Sequence, residues 1–419
     1  MVDNLRLTAE EERLLGGQDG DGVALAMRVI VSLARLGGAP RLVEITSAHV
    51  DSCLYHGQVS LDFAHTLAGL GAKVRVPTTL NVGSMDLLHP GLVRTTTDAE
   101  REIAVRGREL MAAYVDLGCT PTWTCAPYQL PGRPGVGEHV AWAESNAVVF
   151  ANSVLGARTD RYGDFVDICA AITGRAPYSG LQTTEARRGT VVVDCRRLGE
   201  RFLRSELAYP LLGHHVGSLA GGQIPVLVGI PGDVSEDNLK AFGAAAASAG
   251  GVALFHAVGV TPEAPTGSLD HLPRYDVDLE TLRATRRRLS TSASGELDAV
   301  SVGTPHASYA ECERLAGLLR DGPPVRLAFY LSTGRATRAR AEETGVLRTL
   351  ESAGVTVVVD TCTYVTSILS PAWTNVMTNS GKWAHYAPGN LNVDVVLGSL
   401  EECVASAREG RVVLHELGA

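Results

Sequence analysis

The sequence predicts an α/β protein of parallel sheets with flanking helices, on three observations. From about residue 224, short β-branched runs alternate with longer stretches of helical periodicity, at the spacing that crossover helices need between parallel strands. Glycine is abundant, 45 of 419 residues, while aromatics make up only 5%, a balance that suits tight turns and loop-built surfaces. Capping signals mark where helices begin.

Element by element, Thr8 with Glu11 three residues on forms a capping box, and the helix it opens stops at Gly16-Gly17. Residues 22–36 carry Val23, Met27, Ile30 and Leu33 at helical spacing and close at Gly37-Gly38. Leu42 to Ile45 is expected as a strand, 60–70 as a helix, and Val74 to Val76 as a strand followed by a polar loop, 77–84. Thr97 with Glu100 opens a second capped helix that runs to about Asp116, and Val191 to Asp194 is a further short strand. The turn-rich segments Gly213-His214-His215 and Gly221-Gly222 place a boundary there, giving an N-terminal region 1–215 and a C-terminal βα-repeat region 216–419. In the latter, strands are expected at 225–230, 252–258, 297–302, 325–331, 355–359 and 393–397. Helices are expected at 235–249, 277–290, 308–320, 335–353 and 399–408.

Bulk properties narrow the function. Hydrophobic residues are 45% and charged residues 20%, ordinary for a globular enzyme. A net charge of −9 without basic runs argues against nucleic acid and anionic membranes as partners. No apolar run approaches the roughly 18–20 residues of a spanning helix, and Met1 to Glu12 lacks a basic segment leading into an apolar one. Eight cysteines are too few for a disulfide scaffold, which fits a reducing cytoplasm. There is no Walker A sequence, no GxGxxG after a strand and no GxSxG elbow.

In parallel α/β sheets, ligands sit at the carboxyl ends of the strands. Three chemically capable segments follow expected strands: Gly303-Thr304-Pro305-His306, Ser332-Thr333-Gly334-Arg335 and Asp360-Thr361-Cys362. Further on, 377–386 packs Lys382, His385, Tyr386 and several hydroxyls into ten residues. Cys53, Cys125 and Cys362 each occupy a polar, loop-like context and meet no zinc or ferredoxin spacing. They are either buried small hydrophobes or a metal centre assembled by the fold. Cys169, Cys312 and Cys403 fall in apolar helical patterns and are structural; Cys119 and Cys195 fit either role, Cys119 as a spare ligand beside Cys125. His214-His215, being adjacent, point apart, so His306 is the better functional histidine. Ser145, Asn146, Asn152, Ser153 and Arg158 supply amides, hydroxyls and a guanidinium fork suited to a small carboxylate, or they are a helix cap with solvated side chains.

Taken together, six segments resemble the aconitase X family. They are Pro77-Thr78-Thr79-Leu80-Asn81, Thr124-Cys125-Ala126-Pro127-Tyr128, Glu144-Ser145-Asn146-Ala147, Asn152-Ser153, Asp360-Thr361-Cys362 and 378–386. The match runs in order from about residue 5 to about residue 410. It implies an aconitase-like multi-domain architecture and an iron-dependent hydro-lyase. It also implies a small swivelling domain, which is expected here as a separate subunit carrying a catalytic serine. Archaeal members, which act on mevalonate 5-phosphate, have cysteine where this chain has Thr304. Bacterial members resembling cis-3-hydroxy-L-proline dehydratase carry a cysteine in the segment matched here by His49 to Gly57, which places Cys53. That exchange keeps three thiols and favours the hydroxyproline branch, with Δ1-pyrroline-2-carboxylate as product.

The resemblance therefore implies Cys53, Cys125 and Cys362 as ligands of an iron–sulfur cluster, [2Fe-2S] ahead of [4Fe-4S] or a single iron ion. Ser145, Asn146, Asn152, Ser153, Arg158 and Ser380, with Thr78 and Asn81, are expected to bind substrate. Lys382, His306 and His385 are expected in proton-transfer or orienting roles. The alternatives are dehydration of mevalonate 5-phosphate or another small hydroxy acid, where Arg75, Arg158 and Arg335 are the available cations, or a non-catalytic iron-binding homologue.

Overall fold

The computed structural model describes residues 4–418. It divides them into two compact units: everything described up to Met85 with Arg94–Arg188, and Asp86–Val93 with everything described from Gly189 on. Among the described residues, no helix is long and apolar enough to cross a membrane.

In the first unit both capping boxes form as expected, Thr8–Glu11 opening the helix Ala9–Leu15 and Thr97–Glu100 opening Asp98–Asp116. Helix Asp21–Leu36 buries Val23, Met27, Ile30 and Ala34 along one stripe, as its 3.6-residue period requires. The strands are short: β1 (Leu42–Glu44), β2 (Ala48–Val50), β3 (Thr78–Leu80), β4 (Ala141–Trp142) and β5 (Arg175–Pro177). β2 lies between β3 and β4, parallel to both, and β1 pairs antiparallel with β5. The strand expected at Val74 to Val76 lies instead in the polar segment after it. Threonine is a good strand residue once its hydroxyl is satisfied, as when Thr78 Oγ1 donates to the Val76 carbonyl at 2.8 Å.

Among the described residues, the second unit builds on two parallel sheets. One has β6 (Val191–Asp194), β7 (Pro225–Val228), β8 (His256–Ala257) and β9 (Arg274–Asp276) in the order β8-β7-β6-β9. The other has β10 (Ala299–Ala307), β11 (Ala328–Thr333), β12 (Val355–Val358), β13 (Asn375–Thr378) and β14 (Asp394–Leu397) in the order β12-β11-β10-β13-β14. In each, the first strand is internal and the order reverses beside it, at β6/β9 and at β10/β13. Such a reversal opens a crevice at the carboxyl ends. The apolar side chains of the larger sheet, among them Val300, Phe329, Leu331 and Val396, are buried against Leu315, Leu347 and Leu400 of its helices.

Four expectations are corrected here. The strand at 252–258 contracts to β8. β9 and β13 were unanticipated, β9 because all three of its residues are polar or exposed. The helix at 335–353 is two, Arg335–Glu343 and Val346–Ser352, because Gly345 takes φ 80° between them. Gly213-His214-His215 is not a turn but part of the helix Ala208–Ala220. Its glycines serve close packing: a Cβ at Gly213 would lie 2.2 Å from the Phe242 carbonyl oxygen, and one at Gly217 would lie 2.4 Å from that of Ala246. Both contacts are to the helix Glu236–Gly250, so the two backbones meet directly.

A methyl group at Gly217 therefore has to push two helices apart. Gly217→Ala is expected to cost ~1–3 kcal/mol, as overpacking does. Gly222→Ala, where a Cβ meets nothing within 4 Å, should stay within ~0.5 kcal/mol of the parent. Thermal denaturation of both variants checks this, and equal midpoints would refute direct backbone packing.

Candidate functional site

The larger sheet of the second unit presents its chemistry where β10 and β12 end. The register of β10 against β11 shifts between Val302 and Ala307. Gly303 allows this, with φ 82° and only 2.2 Å between its ideal Cβ and the Ser332 carbonyl oxygen. His306, fully buried, places Nε2 3.1 Å from the Thr361 carbonyl. A carbonyl only accepts, so Nε2 carries the proton and the ring lone pair is on Nδ1.

After β12 the chain turns through Asp360, a non-glycine residue at φ 63° with no exposed surface. Arg335 grips it bidentately, Nε to Oδ1 at 2.6 Å and a terminal nitrogen to Oδ2 at 2.7 Å. The Leu87 amide donates to Oδ2 at 3.0 Å. Asp86, also without exposed surface, accepts from the amides of Leu88, His89 and Val359 at 2.9, 2.7 and 3.1 Å. Cys362 follows, buried, its carbonyl capped by the amides of Val365 and Thr366 at 3.1 and 3.2 Å. The Thr363 hydroxyl lies 2.6 Å from that of Ser301 on β10 and accepts from the Trp383 indole at 2.9 Å. The donor atoms of His306 and Cys362 come within 4.8 Å of each other. One imidazole and one sulfur, both buried, are borderline-to-soft donors suited to iron or zinc rather than magnesium or calcium.

In the first unit, the Asp51–Cys53 turn hangs on Asp167. That buried carboxylate accepts from the amides of Asp51 and Ser52, at 2.7 and 3.1 Å, and from the Ser52 hydroxyl at 2.9 Å. The Cys53 sulfur lies 3.5, 3.4 and 3.8 Å from the carbonyls of Val50, Asn81 and Val82. Burial, with Asp51 and Asp167 adding repulsion, pushes its thiol well above the ordinary range. Burial likewise raises Asp51 to about 7, with Glu144 contributing, and Asp167 to about 6. Cys125 is held in its loop by the Thr124 amide, which donates to the Leu80 carbonyl at 3.1 Å. The Asn146 amide nitrogen donates to the Cys125 carbonyl at 3.2 Å and to the Tyr128 hydroxyl at 2.7 Å. The side-chain oxygens of Asn146 and Asn81 are buried without a hydrogen-bond partner among the described residues, as is Nε2 of His49. Burial lowers His49 to about 4, so its ring is neutral at pH 7.

These features fit an iron centre and a polar ligand. Thiols this deeply buried hold their protons until a cation displaces them, as metal ligands do, and the two orphaned amide oxygens are ready to accept from a ligand's N–H or O–H. The other expected residues divide. Asn152 is committed at both ends of its amide, to Thr159 at 2.9 and 3.0 Å and to Arg187 at 2.8 Å. Ser380 caps the helix Gly381–Leu391 and donates to the Thr304 carbonyl. Ser145 donates to Glu144 at 3.2 Å, Arg158 donates to Thr184 at 2.9 Å, and Ser153 is buried in a π-helical turn, Ala151–Leu155. Lys382 is buried in the first turn of its helix, whereas His385 is exposed and lies 3.3 Å from Nε2 of His214. His49, Asp51, Asp86, Asp167 and the Arg335–Asp360 pair were not anticipated. His49 and Asp51 flank Cys53, which was a usable signal, but nothing marked the others as buried.

Residues 4–185 match the family described as Aconitase X first domain, 189–292 the Aconitase X second domain and 297–409 the Aconitase X third domain. The chain is similar to cis-3-hydroxy-L-proline dehydratase of Hypocrea jecorina, at 41% identity over 97% of this chain and 69% of that protein. It is 42% identical to the protein of the same name from Pseudomonas aeruginosa, over 97% of this chain and 70% of that one. With the phosphomevalonate dehydratase large subunit of Thermococcus kodakarensis it shares 35% identity over 91% of this chain and 94% of the relative. A crystal structure of Thermococcus kodakaraensis aconitase X in its holo-form aligns at TM-score 0.86 and 33% identity, covering 96% of this chain and 100% of that chain.

Burial, together with the neighbouring His385, Arg288 and His215, lowers His214 to about 4 from an ordinary 6.5. A base with a depressed folded pKa contributes stability that is complete above 6.5 and lost as pH falls through about 4. His49, also lowered to about 4, adds to the same slope. Chemical denaturation of the apo chain between pH 7 and pH 4 should show a steep fall, shallower in His214→Phe. An unchanged slope in that variant would show that His214 is not held neutral by the fold.

Proposed function

We propose that this chain, which belongs to the aconitase X family, is a hydro-lyase that removes water from cis-3-hydroxy-L-proline to give Δ1-pyrroline-2-carboxylate. The observation that carries the substrate is the gap in similarity. The two cis-3-hydroxy-L-proline dehydratases are 41% and 42% identical over 97% of the chain, against 33–36% for the phosphomevalonate dehydratase large subunits. Charge pairing supports the same choice: a phosphate ester calls for available guanidinium groups, yet two of the three candidates are in ion pairs, Arg75 with Asp19 and Arg335 with Asp360.

Dehydration next to a carboxylate needs the α-proton removed, the carboxylate held as charge develops, and help for hydroxide, a poor leaving group. Cys53, Cys125 and Cys362 are proposed to hold an iron–sulfur centre, [2Fe-2S] ahead of [4Fe-4S] or a single iron, with His306 as a further donor beside Cys362. When bound, iron with one open coordination position supplies Lewis acidity toward the departing hydroxyl. Asn81 and Asn146 would accept from the substrate's ring nitrogen and hydroxyl with their unpaired amide oxygens. Lys382, in the first turn of a helix whose dipole favours anions, would pair with the carboxylate. Proton removal is assigned to a small partner subunit bearing the swivelling domain and its serine. Support for that partner is the 94% coverage of a relative named as a large subunit. Eight cysteines, all free thiols, support a cytoplasmic setting.

With the small partner and iron supplied, the enzyme is expected to dehydrate cis-3-hydroxy-L-proline and leave mevalonate 5-phosphate intact, as followed by chromatography of both products. Turnover of the phosphate ester alone would overturn the assignment. Cys53→Ser, Cys125→Ser and Cys362→Ser should each lower the iron content of anaerobically purified protein and cut kcat/KM by at least ~100-fold. Full iron in any one of them would remove that cysteine from the ligand set.

A further inference from the structure

Beside the strand end that carries His306 lies a small cavity of about 40 Å3. It opens at the β10/β13 crevice, where the order of the sheet reverses, and its wall includes Glu206, Lys240, Thr304, Glu311 and Ser380. Thr304 is 6% exposed, and its hydroxyl has no hydrogen-bond partner among the described residues. A hydroxyl buried in this way against a cavity points to an occupant that completes its bonding.

The charges around the cavity say what kind of occupant. Lys240, 2% exposed, pairs with Asp237 at 3.0 Å and with Glu311. Arg314 pairs with Glu206 and with Glu401, each at 2.5 Å. On the wall itself, two carboxylates, Glu206 and Glu311, stand against one ammonium, Lys240. Burial raises Glu206 to about 6 even though Arg314 and the Leu400 amide favour its anion. The volume is room for only a few water-sized spheres at ~10–15 Å3 each. An ion entering must therefore shed its hydration shell, which magnesium does reluctantly. The wall carries no sulfur and no imidazole, only carboxylates, hydroxyls, the Asn379 amide and the ammonium of Lys240, so soft metals are disfavoured.

We propose that this cavity binds a dehydrated monovalent alkali cation, ligated by the Thr304 hydroxyl and the carboxylates of Glu206 and Glu311. Thr304 stands two residues before His306. Two residues after it, Ser308 donates its amide to Glu311 at 2.8 Å and its hydroxyl to Asp237 at 2.7 Å. The ion would brace the strand end from both sides of the histidine.

The test is the thermal midpoint of the full chain in potassium, sodium and tetramethylammonium chloride at one ionic strength, a readout that does not depend on the substrate assignment. Potassium or sodium should raise the midpoint saturably, by ~2–4 °C over tetramethylammonium, which is too large to enter. Thr304→Val, which keeps the side-chain shape, should abolish the saturable part, and Glu206→Gln should weaken it. Should Thr304→Val fail to fold, Glu206→Gln carries the comparison. Equal midpoints in all three salts would mean that the cavity holds only water and would overturn the proposal, as would a saturable effect that persists in Thr304→Val or is undiminished in Glu206→Gln.

Discussion

The strand-end loops of this protein depend on buried carboxylates that capture backbone amides. Where a parallel strand ends, its amides lose their ladder partners, and buried in the protein they must find others. Asp86 and Asp360 meet that need in the second unit, accepting from four amides (Leu87, Leu88, His89 and Val359) with no exposed surface on either residue. Asp167 does the same in the first, gathering the amides of Asp51 and Ser52 and the Ser52 hydroxyl. Asp360 stands two residues before Cys362, Asp86 holds the Val359 amide three residues before it, and Asp167 holds the Ser52 amide next to Cys53. Burying an anion costs several kcal/mol unless its oxygens are satisfied, so such a network rigidifies a loop when complete and fails as a whole when broken. The left-handed conformation of Asp360, disfavoured for a residue with a Cβ, persists because the Arg335 fork and the Leu87 amide over-determine it.

Much of the fold was legible because the alternation of the second unit is hydrophobic and regular, and β6, β7, β10, β11, β12 and β14 fall within or beside the expected runs. What escaped did so for identifiable reasons. β9 is polar and exposed, so hydropathy cannot see it. β3 begins with two threonines whose hydroxyls are satisfied by backbone carbonyls. Gly213 and Gly217 look like turn residues because the sequence records only that a side chain is missing, not that a second helix fills its place.

The same limit applies to the site. The strand-end rule picked out His306 and Cys362, and the structure brings their donors within 4.8 Å. Asn146 was expected in a set suited to a small carboxylate and Asn81 through the family resemblance; that each keeps a buried unpaired oxygen is visible only in three dimensions. Asp86 and Asp167 could not be singled out, since most aspartates are solvated and composition does not say which are interior; Asp360 was marked only by its place in a strand-end segment. Asn152 looked equally suited to a ligand, yet its amide is used up by Thr159 and Arg187.

Two electrostatic regimes follow from where cations stand. Asp360 has a guanidinium locked to it, so its loop is neutralised within the chain. Around Cys53 the partners are backbone amides, hydroxyls and further acids, and the consequence is visible in Asp51 near 7, Asp167 near 6 and a thiol pushed far up. Burial raises all three acidic groups, with repulsion from neighbouring acids adding to it at Asp51 and Cys53. A cation there would stabilise every one of those anions at once, and by linkage their deprotonation would strengthen the hold on the cation. The fold thus builds its thiol loops from the same carboxylates whose ionisation a bound metal would favour, so structural rigidity and metal affinity draw on one set of groups.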